Sequence, residues 1–178
     1  MPSPVGHALA SVAAGWVASP PPAASRAFRV QVLLLGAVGL APDVDLLVGR
    51  HSAETHSLGA AVLVASLAVW WRWPAGVSGP RIWAAVFLAW IVHPLLDAMA
   101  PDTTAPHGVM LLWPVSREYV QFELTPFMAI SRRYWLPGFV SYTVTAVARE
   151  VVLLAPVAAM AWWWRRQTPV DHPRPPGR

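Results

Sequence analysis

The chain has 178 residues, of which 56% are hydrophobic and only 12% charged. A soluble domain is about 25% charged, so lipid is the expected main solvent. The formal charge is +4, carried by Arg without any Lys, and the Arg residues sit singly or in pairs beside apolar runs. That placement suits anionic lipid headgroups and excludes the continuous basic stripe of a nucleic-acid binder. With no Cys, disulfides and thiolate metal sites are excluded too, and any metal must be held by His, Asp or Glu.

Five apolar segments follow in chain order, at 4–18, 30–47, 58–71, 82–99 and 151–164. No basic residue precedes the first, so it is expected to stay on the protein as a helix and not to be removed as a signal peptide. A spanning helix takes about 20 residues, so the shorter segments must borrow flanking residues or cross a thinned bilayer. Between segments four and five lies a long mixed stretch with Pro101, Pro106 and the aromatics Phe122, Phe127, Tyr134 and Trp135, where short interfacial helices are expected. Residues 167–178 are rich in Pro and Arg and are expected to be disordered; they contain His172, which is given no role. The expectation is an all-α fold, one membrane-embedded domain over residues 1–166. It is a bundle of about five helices with a loop-rich cap on one side.

Alternating the segments across a bilayer sorts the chain into two ends. Trp16, Trp70, Trp71, Trp73, Trp83 and Trp162 to Trp164 collect opposite the N-terminus, with Arg26, Arg29, Arg72, Arg81, Arg165 and Arg166. Trp and Arg together mark an interfacial belt, and the excess of Arg places that end in the cytoplasm. The other end, expected to be extracytoplasmic, receives His7, Asp43, Asp45, His51, His56, His93 and Asp97; Glu54 and His107 fall there too, with solvation in a loop as the default for both. The alternation is drawn from hydropathy alone, yet it gathers these groups on one face.

Ionisable residues in apolar helices are costly and face one another or a polar cavity. His93 and Asp97 are four apart, so they share a helix face about 6 Å apart along the axis and can reach one cation. Thr55-His56-Ser57 reads as a helix start, with Thr55 or Ser57 as the cap. Asp43 and Asp45 flank a turn after Pro42, where one of the two suffices as a ligand. His and Asp donors suit zinc, manganese or iron, and such a bound ion brings the pKa of its water toward about 7. The readings to be weighed against a metal site are plainer. A single His in an apolar helix is usually a packed core residue, an i,i+4 His/Asp pair is common on helices, and Arg149-Glu150 can be a simple ion pair. GxSxG, P-loop and GxGxxG patterns are all missing, which removes serine hydrolase, NTPase and dinucleotide readings.

The ordered set Pro4-Val5-Gly6-His7, Asp43-Val44-Asp45, His51-x4-His56-Ser57, His93-Pro94-Leu95-Leu96-Asp97 and Leu111-Leu112-Trp113-Pro114-Val115-Ser116 resembles the YdjM-like inner-membrane family of metal-dependent hydrolases. The resemblance runs from Met1 to about Ser116. Where that family has His-Arg-Gly before its Thr-His-Ser, this chain has His51-Ser52-Ala53. At greater distance the ligand order is similar to that of the all-helical zinc phospholipase C and nuclease group. The resemblance implies a membrane-bound hydrolase of a phosphoester or ester in a lipid or lipid-linked substrate. It implies one or two divalent ions, zinc foremost. His7, Asp45, His56, His93 and Asp97 are the implied ligands, with Asp43 or His51 as base or orienting group. Two other readings remain: a scaffold or stress-response protein with a structural metal, and a small metal transporter. Transport fits less well, because the polar residues cluster at one face and do not line a path.

Overall fold

The computed structural model describes residues 1–23, 25–71, 77–102, 105–130 and 133–167. The expected tail and His172 lie outside them, as do Arg72 and Trp73. The element order is α1 (Pro4–Ala18), α2 (Ser25–Leu40), a 3-10 helix η1 (Ala41–Val48), α3 (Leu58–Trp70), α4 (Gly79–Ala98) and α5 (Phe139–Gln167). The fold is all-helical, with an isolated pairing of Val109 and Val120 in the cap as the one β-type contact among the described residues.

Three stretches are long and apolar enough to cross a membrane: Arg26–Leu47, Gly79–Ala98 and Phe139–Gln167. Helices α1 and α3 are shorter, at 15 and 13 residues. Helix α1 forms the centre and packs on α4, α5 and α2, while α3 packs on α4. Helix α1 starts where Ser3 caps it, accepting the Gly6 N–H, and Pro4 supplies a preset first turn. It then buries Val12 and Trp16 against Leu35 of α2 and Ala85 and Ala89 of α4. The α1–α2 approach is close. A Cβ at Gly39 would overlap the Ser11 side chain, so only a glycine lets α2 come this near.

Two boundaries differ from the hydropathy reading. The second segment divides into α2 and η1 because Pro42 lacks the N–H that would continue the ladder. The fifth segment begins at Phe139 and not at 151, because its first three turns carry Ser141, Thr143, Thr145 and Arg149, which lower hydropathy without stopping a helix. Glu150 therefore sits in the helix interior.

The long connection contains no interfacial helix among the described residues 99–138; it is a hydrogen-bonded cap of turns. Met110 N donates to Ser52 O, Leu58 N to Leu111 O, Gly59 N to Trp113 O, Phe122 N to Ala98 O and Ile130 N to Met1 O. These bonds satisfy backbone groups at helix ends that would otherwise be orphaned. At the opposite end Trp70, Trp71, Trp163 and Trp164 are exposed, and Arg166 lies 4.2 Å over the Trp162 ring. Aromatic and cationic side chains thus ring the end away from the cap, as a membrane–water boundary requires.

Candidate metal centre

Four elements deliver side chains to one point under the cap. His7 comes from the second turn of α1, Asp43 and Asp45 from η1, His51 and His56 from the turn before α3, and His93 with Asp97 from the last turns of α4. His7, His56 and His93 are fully buried, and Asp45 and Asp97 are nearly so. The local sequence explains the placement. Gly49, with φ 69°, ends η1 in the left-handed region, and Ser52 follows with φ 64°, so residues 49–57 double back over η1. Ser57 caps α3, accepting the Ala60 N–H at 3.1 Å, which leaves Thr55 free to donate to Asp45 Oδ2 at 2.9 Å.

The decisive feature is a pair of imidazole nitrogens that face each other, His56 Nε2 and His93 Nε2, 3.1 Å apart. His93 Nδ1 lies 2.6 Å from the Gly39 carbonyl, which only accepts, so Nδ1 carries the proton and Nε2 offers a lone pair. Pro42 has no N–H to give that carbonyl in the 3-10 register, so the same proline that ends α2 keeps it open for His93. His56 Nδ1 lies 3.0 Å from Asp45 Oδ2, so the carboxylate makes Nδ1 the donor and turns Nε2 inward as well. Two lone pairs at this distance require a positive centre between them, either a proton or a metal ion.

The carboxylates complete the arrangement. Asp97 Oδ2 is 3.2 Å from His93 Nε2 and 3.4 Å from His56 Nε2, and Asp43 Oδ1 is 3.6 Å from both nitrogens. Neither oxygen has a hydrogen-bond donor of good geometry. Donor atoms around a tetrahedral zinc at about 2.0–2.2 Å stand roughly 3.3 Å from one another. Five separations within the set His56 Nε2, His93 Nε2, Asp97 Oδ2 and Asp43 Oδ1 run from 3.1 to 3.6 Å, close to that spacing, so the set can hold one cation. The other oxygen of Asp97, Oδ1, turns to His7 Nε2 at 3.3 Å, and the His7 ring stacks on His93 with centroids 3.8 Å apart. Atoms of His7, His93 and Asp97 lie within 4.8 Å of one another, as do those of Asp43, Asp45, His51 and His56, so two neighbouring groups can each hold an ion. Burial opposes an imidazolium at His56, but the adjacent carboxylates of Asp43, Asp45 and Asp97 outweigh it and hold its pKa well above the ordinary value. A metal ion at this point therefore displaces a proton.

The chain belongs to the YdjM inner membrane protein family. The family model matches residues 1–168, which extends the resemblance through α5. No curated protein and no solved structure matches the chain. Membership in the YdjM family, together with the three long apolar stretches, makes this a membrane protein with His/Asp groups able to bind metal.

All seven residues singled out from the sequence meet here. The two aspartates divide their tasks: Asp43 faces the paired imidazoles, while Asp45 faces the outer nitrogens, His56 Nδ1 and, at 3.3 Å, His51 Nδ1. Other candidates do not join them. His107 is exposed, Glu54 pairs with Arg50 at 2.8 Å, and Arg149 is exposed. Glu150 is no ion-pair partner on the surface. It is fully buried, accepts Ser3 N at 2.8 Å and the Ser3 hydroxyl, and so pins α5 to the start of α1 one turn before His7. A Cβ at Gly6 would lie 2.5 Å from Glu150 Oε2, so Gly6 makes room for that pin. In the sequence Glu150 stands beside Arg149 at the edge of the fifth apolar segment and reads as an ion-pair partner, so its buried role carried no signal. The roles of Thr55 and of the Gly39 carbonyl carried none either.

Proposed function

We propose that this protein is a membrane-bound metal-dependent hydrolase acting on a phosphoester or ester, with its site on the extracytoplasmic face. The observation that carries this reading is the tetrahedral spacing of His56, His93, Asp97 and Asp43 around two inward lone pairs. Those four residues hold the first ion, and Asp97 Oδ1 with His7 begins a second position that shares the same carboxylate. Zinc suits the donors best. A bound divalent cation supplies Lewis-acid charge and acidifies water.

The remaining side chains orient and move protons. Asp45 fixes His56 from behind, and Thr55 fixes Asp45. Asp45 Oδ1 also faces His51 Nδ1, which leaves the other nitrogen of His51 as a base. His51 and Asp97 both line a cavity of about 920 Å³ beneath the cap, which gives a substrate access to the centre. The test is metal content and hydrolysis of bis(p-nitrophenyl) phosphate by the purified protein. Activity is expected to vanish on chelation and to return with zinc. A stoichiometric ion with no chelator-sensitive hydrolysis would instead favour a structural metal in a scaffold protein.

A further inference from the structure

The cavity has a lining of two kinds. Asp97 and His51 line it, and so do the apolar Leu46 of η1, Leu136 just before α5 and Tyr142 in the first turn of α5. Leu46 and Tyr142 both belong to stretches long and apolar enough to cross a membrane. Among the described residues, neither α2 nor η1 packs against α5, although all three flank the site. Further apolar side chains on the same elements are exposed, Val44 and Leu47 on η1 and Val140 on α5. A pocket for a water-soluble substrate has no need of a wall drawn from two membrane-crossing stretches. An open seam between two lipid-facing helices, continuous with a buried polar centre, serves a molecule that is itself half in lipid.

Charge in the same lining fits the head of such a molecule. Arg50 and Arg133 line the cavity, and Arg50 spends one hydrogen bond on Glu54. The guanidinium of Arg50 has five N–H groups, so others are left for an oxyanion. Asp102, a carboxylate in the same wall, accepts the Gly108 N–H at 3.1 Å. The volume is at the upper end of the roughly 300–1,000 Å³ usual for ligand clefts.

We infer that the substrate is an anionic amphiphile that enters sideways from the bilayer. Its hydrocarbon tail lies in the seam between Leu46 and Tyr142, and its phosphoester or ester head reaches Asp97 past Arg50 and Arg133. The fate of the head rests on the hydrolase reading; the route of entry does not.

The full chain in phosphatidylethanolamine vesicles, with a phosphatidylglycerol probe bearing a diazirine on its acyl chain, tests the route directly. Photolabelling is expected at Leu46 and near Leu136 and Tyr142, above the level at Leu63 and Leu67, which face lipid on α3. Leu46→Trp should cut seam labelling about tenfold and leave α3 labelling unchanged, while Leu46→Ala should keep both. Labelling at the seam no stronger than on α3, or unaltered by Leu46→Trp, overturns the proposal, as does a cross-link showing a second copy covering Leu46 and Tyr142. Hydrolysis gives a second reading. Leu46→Trp should slow cleavage of a long-chain phospholipid about tenfold and leave bis(p-nitrophenyl) phosphate untouched. Equal losses on both also overturn it. If the unaltered protein cleaves neither substrate, the hydrolase reading fails, and the labelling still decides the route.

Discussion

Helices α4 and α5 both flank α1 and both are long and apolar enough to cross a bilayer, yet 61% of the apolar window of α4 is buried within the protein against 17% in α5. The most apolar 18-residue window of each runs the other way, with mean hydropathy 1.3 in α4 and 1.7 in α5. The helix with the less apolar window is the interior one. In lipid that follows from where polar groups are tolerated. Hydrocarbon surrounds the surface, so a His or Asp is sheltered only inside the bundle. Helix α4 spends its interior position on His93 and Asp97, with Pro94 between them opening the Trp90 carbonyl. Helix α5 turns Val140, Val144, Val152 and Met160 outward and keeps one acid, Glu150, for its contact with α1. One helix holds His/Asp donors, and the other holds position.

The comparison breaks most completely at α4. Replacing His93 and Asp97 together by Ala removes two of the four donors, and elemental analysis of the purified variant should find no stoichiometric ion. An ion retained at full occupancy would move the centre away from α4. A smaller effect is expected behind the centre. Asp45→Asn keeps the shape but weakens the acceptor that orients His56, and outer partners of this kind are worth about 10–100-fold in metal affinity. Competition with a chelator of known affinity measures it. An Asp45 variant that loses the ion altogether would give Asp45, and not Asp43, the place beside the imidazoles.

At α5 the expected loss is in stability and not in metal. Glu150→Ala leaves the Ser3 amide and hydroxyl buried without their acceptor, a cost of about 3 kcal/mol. Glu150→Gln keeps an acceptor for the amide and should cost less. Unfolding in mixed micelles of rising SDS content reports both. Wild-type stability in Glu150→Ala would mean that α5 is held by apolar contact alone.

Much of this was legible before any coordinates. Helix α1 matches the first apolar segment residue for residue, and α3 ends within one residue of its segment. The convergence of His7, the two aspartates, His56 and His93/Asp97 followed from alternation alone, because lipid forces polar groups in consecutive helices toward whichever end shelters them. What stayed hidden depends on through-space pairing. Asp43 and Asp45 are two residues apart on one turn, and only the facing imidazoles decide which oxygen looks inward. The Gly39 carbonyl is a backbone atom and leaves no mark in composition. The first turns of α5 were missed because a hydropathy scan rewards apolar residues, whereas a helix tolerates Ser, Thr and Arg on a face that meets the headgroups.

The smallest expected difference isolates the solvent itself. Val86 on α4 is 3% exposed and Val152 on α5 is 71% exposed, and each can be cut to Ala. In water the buried truncation would cost both a transfer and a cavity term. Between protein interior and lipid the transfer term nearly vanishes, because acyl chains are as apolar as the core, and packing is what remains. Val86→Ala should therefore cost on the order of 1 kcal/mol, from lost contacts with Ala65 and Ile82. Val152→Ala should stay within about 0.5 kcal/mol, since lipid fills the space. The same SDS titration measures both. A Val152 variant as costly as the Val86 one would mean that something other than lipid packs against that face of α5.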